Sequence, residues 1–227
     1  MTPIVRPFYL ALLLALAPSA GWSQHAPAAQ PPAAEAEEEE APGPAEVPQD
    51  ILLKANGDIP DITVGNADAK VTIVEYASLS CSHCANFHNK VLPELKAKYF
   101  DTGKARLIIR EFPTSESALV AAMLTRCVAP DKAVPLIDVL FHEQDNWAFA
   151  ETAKDKLKAL SAAEGLTADK FDSCTKNQKL YDKLIANFSS AGKMFGITGT
   201  PTFFINGKRL QDAATMEAFD TALAATP

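Results

Sequence analysis

The sequence predicts an α/β fold, in which an all-helical block is inserted into a small domain of strands and helices. Three observations support this prediction. Two apolar, β-branched segments at 71–78 and 105–112 flank one helical segment, which indicates a β-α-β unit. The next stretch, about 113–197, contains helical segments and no convincing strand. The chain then returns to a strand in "TPTFFING" at 200–207, before a turn and a last helix.

The N-terminus has the pattern of a cleavable export signal. Residues 1–7 carry one charge, Arg6, residues 8–17 form an uninterrupted apolar run, and small residues follow up to Ser23. This order is typical of a secretory signal peptide, whereas a membrane-spanning helix needs about 20 apolar residues. We therefore predict a signal peptide over 1–23 that is removed on export.

Residues 24–50 consist almost entirely of Ala, Pro, Glu and Gln, with seven acidic residues and no Lys or Arg. Such a composition cannot bury enough apolar surface to offset the loss of chain entropy, so we predict a disordered linker. The folded domain is predicted over 51–227, which holds 21 acidic and 20 basic residues. Because this domain is near neutral and shows no basic stripe, we expect no nucleic-acid partner.

The domain begins with the β-α-β unit, whose short crossover favours parallel pairing of the two strands. The hydroxyl of Ser80 is placed to accept from a free backbone N–H, so we expect it to cap a helix over about 81–99. Cys81 would then lie in the first helical turn, and Cys84 would lie one turn further along the same face.

Five helical segments are predicted within the insertion. Thr114 or Ser115 can cap the first segment, and Pro130 separates it from the second. Gly165 ends the third segment and Thr167 can open the fourth. The predicted ranges are 115–128, 131–143, 151–164, 167–175 and 177–195.

The end of the chain is predicted to form a hairpin and a helix. Asn206 and Gly207 are the strongest short hairpin signal, and a last helix is expected over about 214–224. Pro201 is expected at the start of its strand, because proline is poorly tolerated inside a paired strand. A cis Thr200–Pro201 bond would leave a backbone edge free to pair with an extended substrate peptide.

The stretch "SLSCSHCANFH" at 78–88 carries the reactive chemistry. Thiolate is the reactive form of cysteine, and the free N–H groups of a helix N-terminus stabilise it. Cys81 is therefore the expected nucleophile and Cys84 the resolving thiol, while the imidazole of His83 can donate to the Cys81 sulfur. A zinc site that also uses His88 is the alternative. Because His83 is adjacent to Cys84 and structural zinc sites usually use two separated ligand pairs, we expect no metal.

Glu75 is an acidic residue in an otherwise apolar strand, six residues before Cys81. Burying a carboxylate is costly unless the group has a role or a partner. A raised pKa would let Glu75 accept a proton from Cys84 during exchange. The alternative is a glutamate at the strand end that faces water. We expect His88 to be a surface or packing residue of the helix.

Taken in order, the strand, the CxxC motif at a helix start, the helical insertion and a Thr-Pro pair before a late strand resemble the thioredoxin superfamily. Within it, the chain resembles the DsbA-like thiol–disulfide oxidoreductases of the bacterial periplasm, over roughly residues 60–227. The resemblance implies a thioredoxin-like fold with an inserted all-helical subdomain. The functional positions of that family fall here on Cys81, Cys84, His83, Glu75, Thr200 and Pro201.

The four cysteines of an exported protein favour disulfides, and the residues alone allow three pairings. The resemblance implies that Cys127 and Cys174 form an extra structural disulfide in the helical insertion. Two buried free thiols are the alternative for these two residues.

The resemblance implies a periplasmic enzyme that introduces disulfides into reduced exported proteins and is reoxidised by a DsbB-like membrane protein. No cofactor is expected, because the sequence has no glycine-rich nucleotide-binding loop. Family isomerases are usually oligomers built through an N-terminal module, which the Pro/Glu-rich segment does not offer, and this counts against an isomerase. We expect a monomer.

Two other functions stay open. Ser82 stands where the oxidases of the family usually carry proline, and Thr200 stands where the best-known ones carry an aliphatic residue. These differences favour a disulfide isomerase or reductase of the same compartment as the first alternative. A non-catalytic, chaperone-like protein that holds peptides beside Pro201 is the second.

Overall fold

The structure, a computed structural model, describes residues 43–211 and 213–226. The predicted signal peptide and the first part of the predicted linker, as far as residue 42, lie outside these residues. The helices are α1 Gln49–Lys54, α2 Ser82–Asn86, α3 Leu92–Leu95, α4 Glu116–Cys127, α5 Ala133–His142, α6 Gln144–Trp147, α7 Ala153–Ala163, α8 Ala168–Thr175, α9 Gln178–Phe195 and α10 Met216–Ala224. The strands are β1 Ile62–Gly65, β2 Val71–Ala77, β3 Ala105–Glu111, β4 Thr202–Ile205 and β5 Lys208–Arg209.

The strands form one five-stranded sheet in the order β1-β3-β2-β4-β5. Strands β2 and β3 pair in parallel, as their short crossover predicts, and each of the other pairs is antiparallel. The centre of the sheet is β2, where Glu75 lies opposite Ile109 on one side and Phe203 on the other. The predicted α/β fold with an inserted helical block is confirmed.

Successive side chains of β2 point to opposite faces of the sheet and enter two different hydrophobic cores. Ile73 and Ala77 belong to the larger core, together with the helix after β2 and most of the insertion. Val74 and Tyr76 belong to the smaller core, which packs against α1 and the end of α9. By this alternation, Glu75 faces the larger core, on the side of the cysteine-bearing helix.

The helical insertion follows the predicted pattern closely. Ser115 and Thr167 cap α4 and α8, because each hydroxyl accepts from a backbone N–H three residues later. The predicted second helix, 131–143, becomes a short 3-10 turn at Pro130–Lys132 followed by α5, and helix α6 lies beyond its predicted end. Helix α6 brings the insertion back towards the loop that precedes the cysteines.

The predicted continuous helix over 81–99 is interrupted twice. Two π-helical segments, Phe87–Val91 and Lys96–Phe100, alternate with α2 and α3. A π segment inserts a residue into the helical repeat and turns the following side chains around the axis, and such segments are frequent at functional sites. The first of them contains His88, which consequently faces the sheet.

The prediction that Ser80 caps this helix is wrong. Cys81 is the N-cap residue. The Ser80 hydroxyl instead accepts a 2.9 Å hydrogen bond from Ser115 at the start of α4. The active-site loop is thereby tied to the insertion.

The packed part of the chain begins earlier than residue 51. Val47 is buried, and Glu46 pairs with Lys208 beyond the edge of the sheet. This backbone pairing depends little on residue type, so an acidic, proline-rich composition did not indicate it. Gly207 permits the close approach, since its φ is +89° and a Cβ there would collide with the carbonyl of Val47.

Three elements, α1, β1 and α6, were not predicted. All three are short, and a four-residue edge strand such as β1 gives a weak periodic signal. Arg110 holds α1 against the sheet, because its guanidinium donates to the carbonyls of Leu52 and Leu53 and pairs with Asp61. Within residues 43–211 and 213–226, no helix combines the length and the apolar character that crossing a membrane requires.

Candidate active site

Cys81 lies at the junction of the β2 loop and helix α2, with an extended backbone at φ −82° and ψ 121°. The residue is half-buried, and it is one of two free cysteines among the described residues, the other being Cys84. Its sulfur lies 3.1 Å from the carbonyl oxygen of Thr200, which belongs to the loop before β4. The site is therefore assembled from two segments that are 119 residues apart.

The surroundings of Cys81 lower the pKa of its thiol from 9.0 to about 5. The largest cause is a hydrogen bond from the side chain of Cys84, and the Thr200 side chain adds a second bond. The backbone N–H groups of Cys84 and His83, at the open end of α2, contribute further. Partial burial acts against these bonds. Cys81 is thus a thiolate at neutral pH, which is the reactive form.

Cys84 has the opposite character. It is fully buried, and burial raises the pKa of its thiol far above the ordinary value. The hydrogen bond to Cys81 and the negative charge of Glu75 raise this pKa further. Cys84 therefore keeps its proton while Cys81 does not, and the two thiols of one motif have separate roles.

His83 takes part in the site through its backbone. Its N–H group helps to lower the pKa of Cys81, whereas its side chain is exposed. Within the described part of the chain, the imidazole makes no hydrogen bond. The expected donation from the His83 ring to the Cys81 sulfur is thus replaced here by donation from the amide of the same residue.

Thr200 and Pro201 lie beside the cysteines, as their order in the sequence predicts. The peptide bond between them is cis. Both residues are half-buried, and Pro201 comes directly before β4. The Thr200 carbonyl faces Cys81, so a chain bound at this loop would lie next to the reactive sulfur.

Glu75 is completely buried, and its carboxylate is paired with His88. Glu75 Oε2 and His88 Nε2 are 2.9 Å apart, and their side chains are 0% and 1% exposed. His88 was expected to be a surface or packing residue. It is not on the surface; it packs in the core with its ring stacked on Phe141, and its pairing with Glu75 was not expected. Its partner lies 13 residues away on β2, so periodicity within the helix could not reveal the pair. The one available signal was the acidic residue in an apolar strand, which requires a partner when it is buried.

Gln144 is a second site residue that the sequence did not indicate. Its side-chain amide is buried and donates to the carbonyls of Leu79 and Cys81, at 2.8 and 3.0 Å. Gln144 belongs to α6, in the insertion. The helical block thus fixes the backbone that carries the nucleophile.

Cys127 at the end of α4 and Cys174 in α8 form a disulfide, with 6.1 Å between their Cα atoms. The bridge lies inside the insertion. It packs into the larger core. In residues 43–211 and 213–226, no three His, Cys, Asp or Glu side chains are grouped in a way that could hold a metal ion.

Sequence comparisons identify relatives of this chain. The chain matches the family model described as "Thioredoxin" over residues 58–225. A protein of Rickettsia bellii, whose name assigns it provisionally to the protein-disulfide oxidoreductases, is 35% identical over 153 residues. That match covers 67% of this chain and 59% of the relative, so the chain spans less than two thirds of the relative's length.

Solved structures share the fold. The crystal structure of α-DsbA1 from Wolbachia pipientis has a TM-score of 0.69 and 30% identity, over 78% of this chain and 94% of that chain. Oxidised BdbD from Bacillus subtilis has a TM-score of 0.65 at 20% identity, over 82% of this chain and 97% of that chain. The expected thioredoxin-like fold of the DsbA-like type is confirmed.

Proposed function

Because this chain belongs to the thioredoxin family, we propose that it is a protein thiol–disulfide oxidoreductase whose Cys81–Cys84 pair exchanges disulfides with other proteins. The observation that carries the proposal is the contrast between the two thiols. Cys81 is half-exposed and ionised, whereas Cys84 is buried and protonated. In a pair arranged in this way, the exposed sulfur forms the mixed disulfide with the substrate. The buried sulfur can then resolve that mixed disulfide.

The exchange proceeds in two steps when the pair starts as a disulfide. A substrate thiolate attacks the sulfur of Cys81, the Cys81–Cys84 bond breaks, and Cys84 leaves with the electron pair and takes up a proton. A second substrate thiol loses its proton and attacks the substrate sulfur of the mixed disulfide. The substrate then holds a disulfide, and Cys81 leaves as a stabilised thiolate. Two electrons pass from the substrate to the enzyme.

We assign the oxidising direction to the enzyme, so that it introduces disulfides into reduced exported proteins. A stabilised Cys81 thiolate lowers the free energy of the reduced enzyme, and this makes its disulfide a stronger oxidant. The amides at the start of α2 and the Cys84 hydrogen bond act in that direction. Pro201 and Thr200 would hold the substrate backbone beside the sulfur.

A disulfide isomerase or reductase is the second candidate. Thr200 before the proline supports it, since the oxidases that the chain resembles carry an aliphatic side chain at this position. Both candidates use the same two cysteines. They differ in the reduction potential of this pair, and hence in the redox state in which the cell must maintain it.

The proposal includes a periplasmic location and a redox partner. The signal-like pattern of residues 1–23 supports export, and the Cys127–Cys174 disulfide is consistent with an oxidising compartment. A turnover that oxidises substrates needs an acceptor for two electrons, and a DsbB-like membrane protein is the proposed one. We propose that the enzyme works as a monomer and without a cofactor.

The reduction potential of the Cys81–Cys84 couple tests the direction. The protein is equilibrated in glutathione buffers, trapped with acid and alkylated, and its active-site peptide is weighed by mass spectrometry so that Cys127 and Cys174 do not contribute. A potential near about −120 mV would support a disulfide donor, and one near about −270 mV, as in thioredoxin, would support the reductase. A Cys81→Ser variant that retained full thiol-oxidising activity would contradict both candidates, because neither can exchange disulfides without the Cys81 sulfur. A native protein that exchanged no disulfides at Cys81 would favour a peptide-binding protein without catalysis.

A further inference from the structure

Arg209, in the short strand β5, joins two segments that are far apart in the chain. Its side-chain Nε donates to the carbonyl of Pro44 at 3.2 Å. Nη2 of the same guanidinium donates to the carbonyl of Phe195, and to that of Gly196 at 3.2 Å, at the end of α9. One half-buried arginine therefore connects the N-terminal strap, which we define as residues 43–47, with the C-terminal end of α9.

The end of α9 needs such a partner, because the last carbonyls of a helix have no amide of their own helix to bind them. Gly196 ends α9 in the left-handed region, at φ 57° and ψ 45°. An arginine near a helix C-terminus can bind these carbonyls, and its charge is favoured there by the helix dipole. Arg209 does so from another element. The position of the helix end consequently depends on β5 and on the strap.

The strap also packs directly against the helix end. A Cβ on Gly43 would collide with the carbonyl oxygens of Phe195 and Gly196, and a Cβ on Gly196 would collide with the Cα of Gly43. The two backbones therefore meet with no side chain between them. Val47, at the other end of the strap, lies in the smaller core, which also contains Ile197. The strap and the segment that follows α9 are thus built into the same core.

The segment held in this way leads into the active site. Thr200 follows Gly196 by four residues, and its carbonyl oxygen lies 3.1 Å from the Cys81 sulfur. The hydroxyl of Thr202 donates to the carbonyl of Gly199 at 2.8 Å, which closes the turn before β4. A displacement of the helix end has only these few residues over which to relax before it reaches the Thr200 carbonyl.

The pairing of the strap with β5 does not itself require an arginine. Val47 donates to Gly207 and Ala45 accepts from Arg209 through backbone atoms, which almost any residue supplies. The Arg209 side chain adds donors that reach past the strap to the carbonyls of α9. The specific contribution of this side chain is therefore the connection to the helix end.

We propose that Arg209 is a positioning residue, through which the N-terminal strap fixes the Thr200–Pro201 loop in the place where a substrate backbone binds. The inference deepens the proposed function and rests on it. An extended substrate gains affinity from main-chain hydrogen bonds, and these depend on the position of the loop that receives it. The contacts of Arg209 are with the strap, α9 and β4, so it acts on the site through the end of α9.

The test compares two thiols of different size in full-length variants. Oxidised protein is mixed with reduced glutathione or with a short unstructured peptide that carries one cysteine, and the mixed disulfide at Cys81 is trapped with acid and quantified. Arg209→Met keeps the apolar stem and loses the donors. We expect its rate with the peptide to fall about fivefold, as for one misplaced backbone hydrogen bond, and its rate with glutathione to change less than about twofold.

A second measurement reports on the loop without a substrate. Thr200 is one of the groups that lower the pKa of Cys81 to about 5, so a displaced loop should raise this pKa in reduced Arg209→Met. The absorbance of the thiolate, titrated against pH, gives the value. Lys208→Met is the matched control, because Lys208 is the exposed neighbour of Arg209 on β5; it should keep the native pKa and both native rates.

A third variant displaces the strap and leaves Arg209 in place. Gly43→Val puts a side chain against the end of α9, and we expect the same loss of peptide rate and the same rise in the pKa of Cys81. Gly43 lies at the margin of the fold, so this variant also serves if Arg209→Met does not fold. Thermal unfolding shows which variants are folded.

The outcomes are distinct. Either variant, if folded and less stable but with a native pKa of Cys81 and a native ratio of the two rates, would show that the strap serves stability alone and would overturn the inference. If the native protein formed no mixed disulfide with either thiol, the proposed function would fail, and the positioning role with it.

Discussion

The side-chain nitrogen of Gln144 lies 3.0 Å from the carbonyl oxygen of Cys81, and the same nitrogen donates to Leu79 at 2.8 Å. One buried amide on the inserted helices therefore holds the backbone of the nucleophile and of the loop before it. The insertion is thereby joined to the loop after β2 at the carbonyl of the reacting residue.

Replacing Gln144 with leucine should destabilise the protein by about 1–3 kcal/mol, because two carbonyls of the loop lose their donor in a buried place. Denaturant unfolding followed by circular dichroism measures the change. Gln178→Leu is the control, since Gln178 is exposed and binds only Asp182 in the next helical turn. Equal stabilities of the two variants would show that the loop does not depend on Gln144.

The low pKa of Cys81 should depend on Cys84. Because the Cys84 hydrogen bond is the largest cause of the shift, Cys84→Ala should raise the pKa of Cys81 above about 5. Ultraviolet absorbance of the thiolate, titrated against pH, measures this value. A Cys127→Ala/Cys174→Ala variant should keep the pKa near about 5, because neither of these residues is among the causes of the shift. An unchanged midpoint in Cys84→Ala would contradict the assignment.

The stability of the reduced protein should rise with pH. The folded state holds the pKa of Cys81 at about 5, below the ordinary 9.0. A depressed pKa contributes stability that is fully present above the unfolded pKa and is lost as pH falls through about 5. The free energy of unfolding of reduced protein, minus that of Cys81→Ser, should therefore increase from about pH 5 to pH 8. A flat difference would be inconsistent with a stabilised thiolate.

Removal of the second disulfide should affect stability and leave the site chemistry intact. Cys127 and Cys174 are 47 residues apart, and the chain-entropy model assigns about 4 kcal/mol to a loop of this length. Cys127→Ala/Cys174→Ala should lose about that amount in denaturant unfolding. Its rate of mixed-disulfide formation with glutathione should remain native. A large loss of rate in the folded variant would assign the bridge a role in exchange.

Arg110 should be a major determinant of stability in the smaller core. Its side chain is 1% exposed, pairs with Asp61 and ties α1 to the sheet. Arg110→Met should cost about 1–3 kcal/mol, because the carbonyls of α1 lose their buried donor, whereas exposed Asp61 can bind water instead. Lys183→Met removes the cation of an exposed pair with Asp58 and should cost less than about 1 kcal/mol. Similar effects in both variants would contradict this assignment.

Much of the fold could be predicted because its signals are local. The apolar run of β2, the capping hydroxyls of Ser115 and Thr167, and the Asn206-Gly207 turn each act on the residues beside them. The two cysteines were placed correctly for the same reason, since a CxxC motif directly after a strand coincides with the start of a helix.

The features that were missed depend on distant partners. The role of His88 depends on its hydrogen bond to Glu75 in strand β2. The role of Gln144 depends on its hydrogen bonds to two carbonyls more than sixty residues away. The π-helical segment that turns His88 inward has no residue signature, because it reflects how the whole helix fits the sheet. Edge pairing by residues 45–47 involves backbone atoms alone, so an acidic composition could not reveal it.

The pairing of residues 45–47 with the sheet edge also affects association with other chains. Strand β5 is only two residues long, and beyond it the backbone of Val47 donates to Gly207 while Ala45 accepts from Arg209, both at 2.8 Å. An open sheet edge can recruit any extended chain and is a common starting point for aggregation. Because residues 45–47 cover this edge with their own backbone, a second copy of the chain has less opportunity to add a strand there.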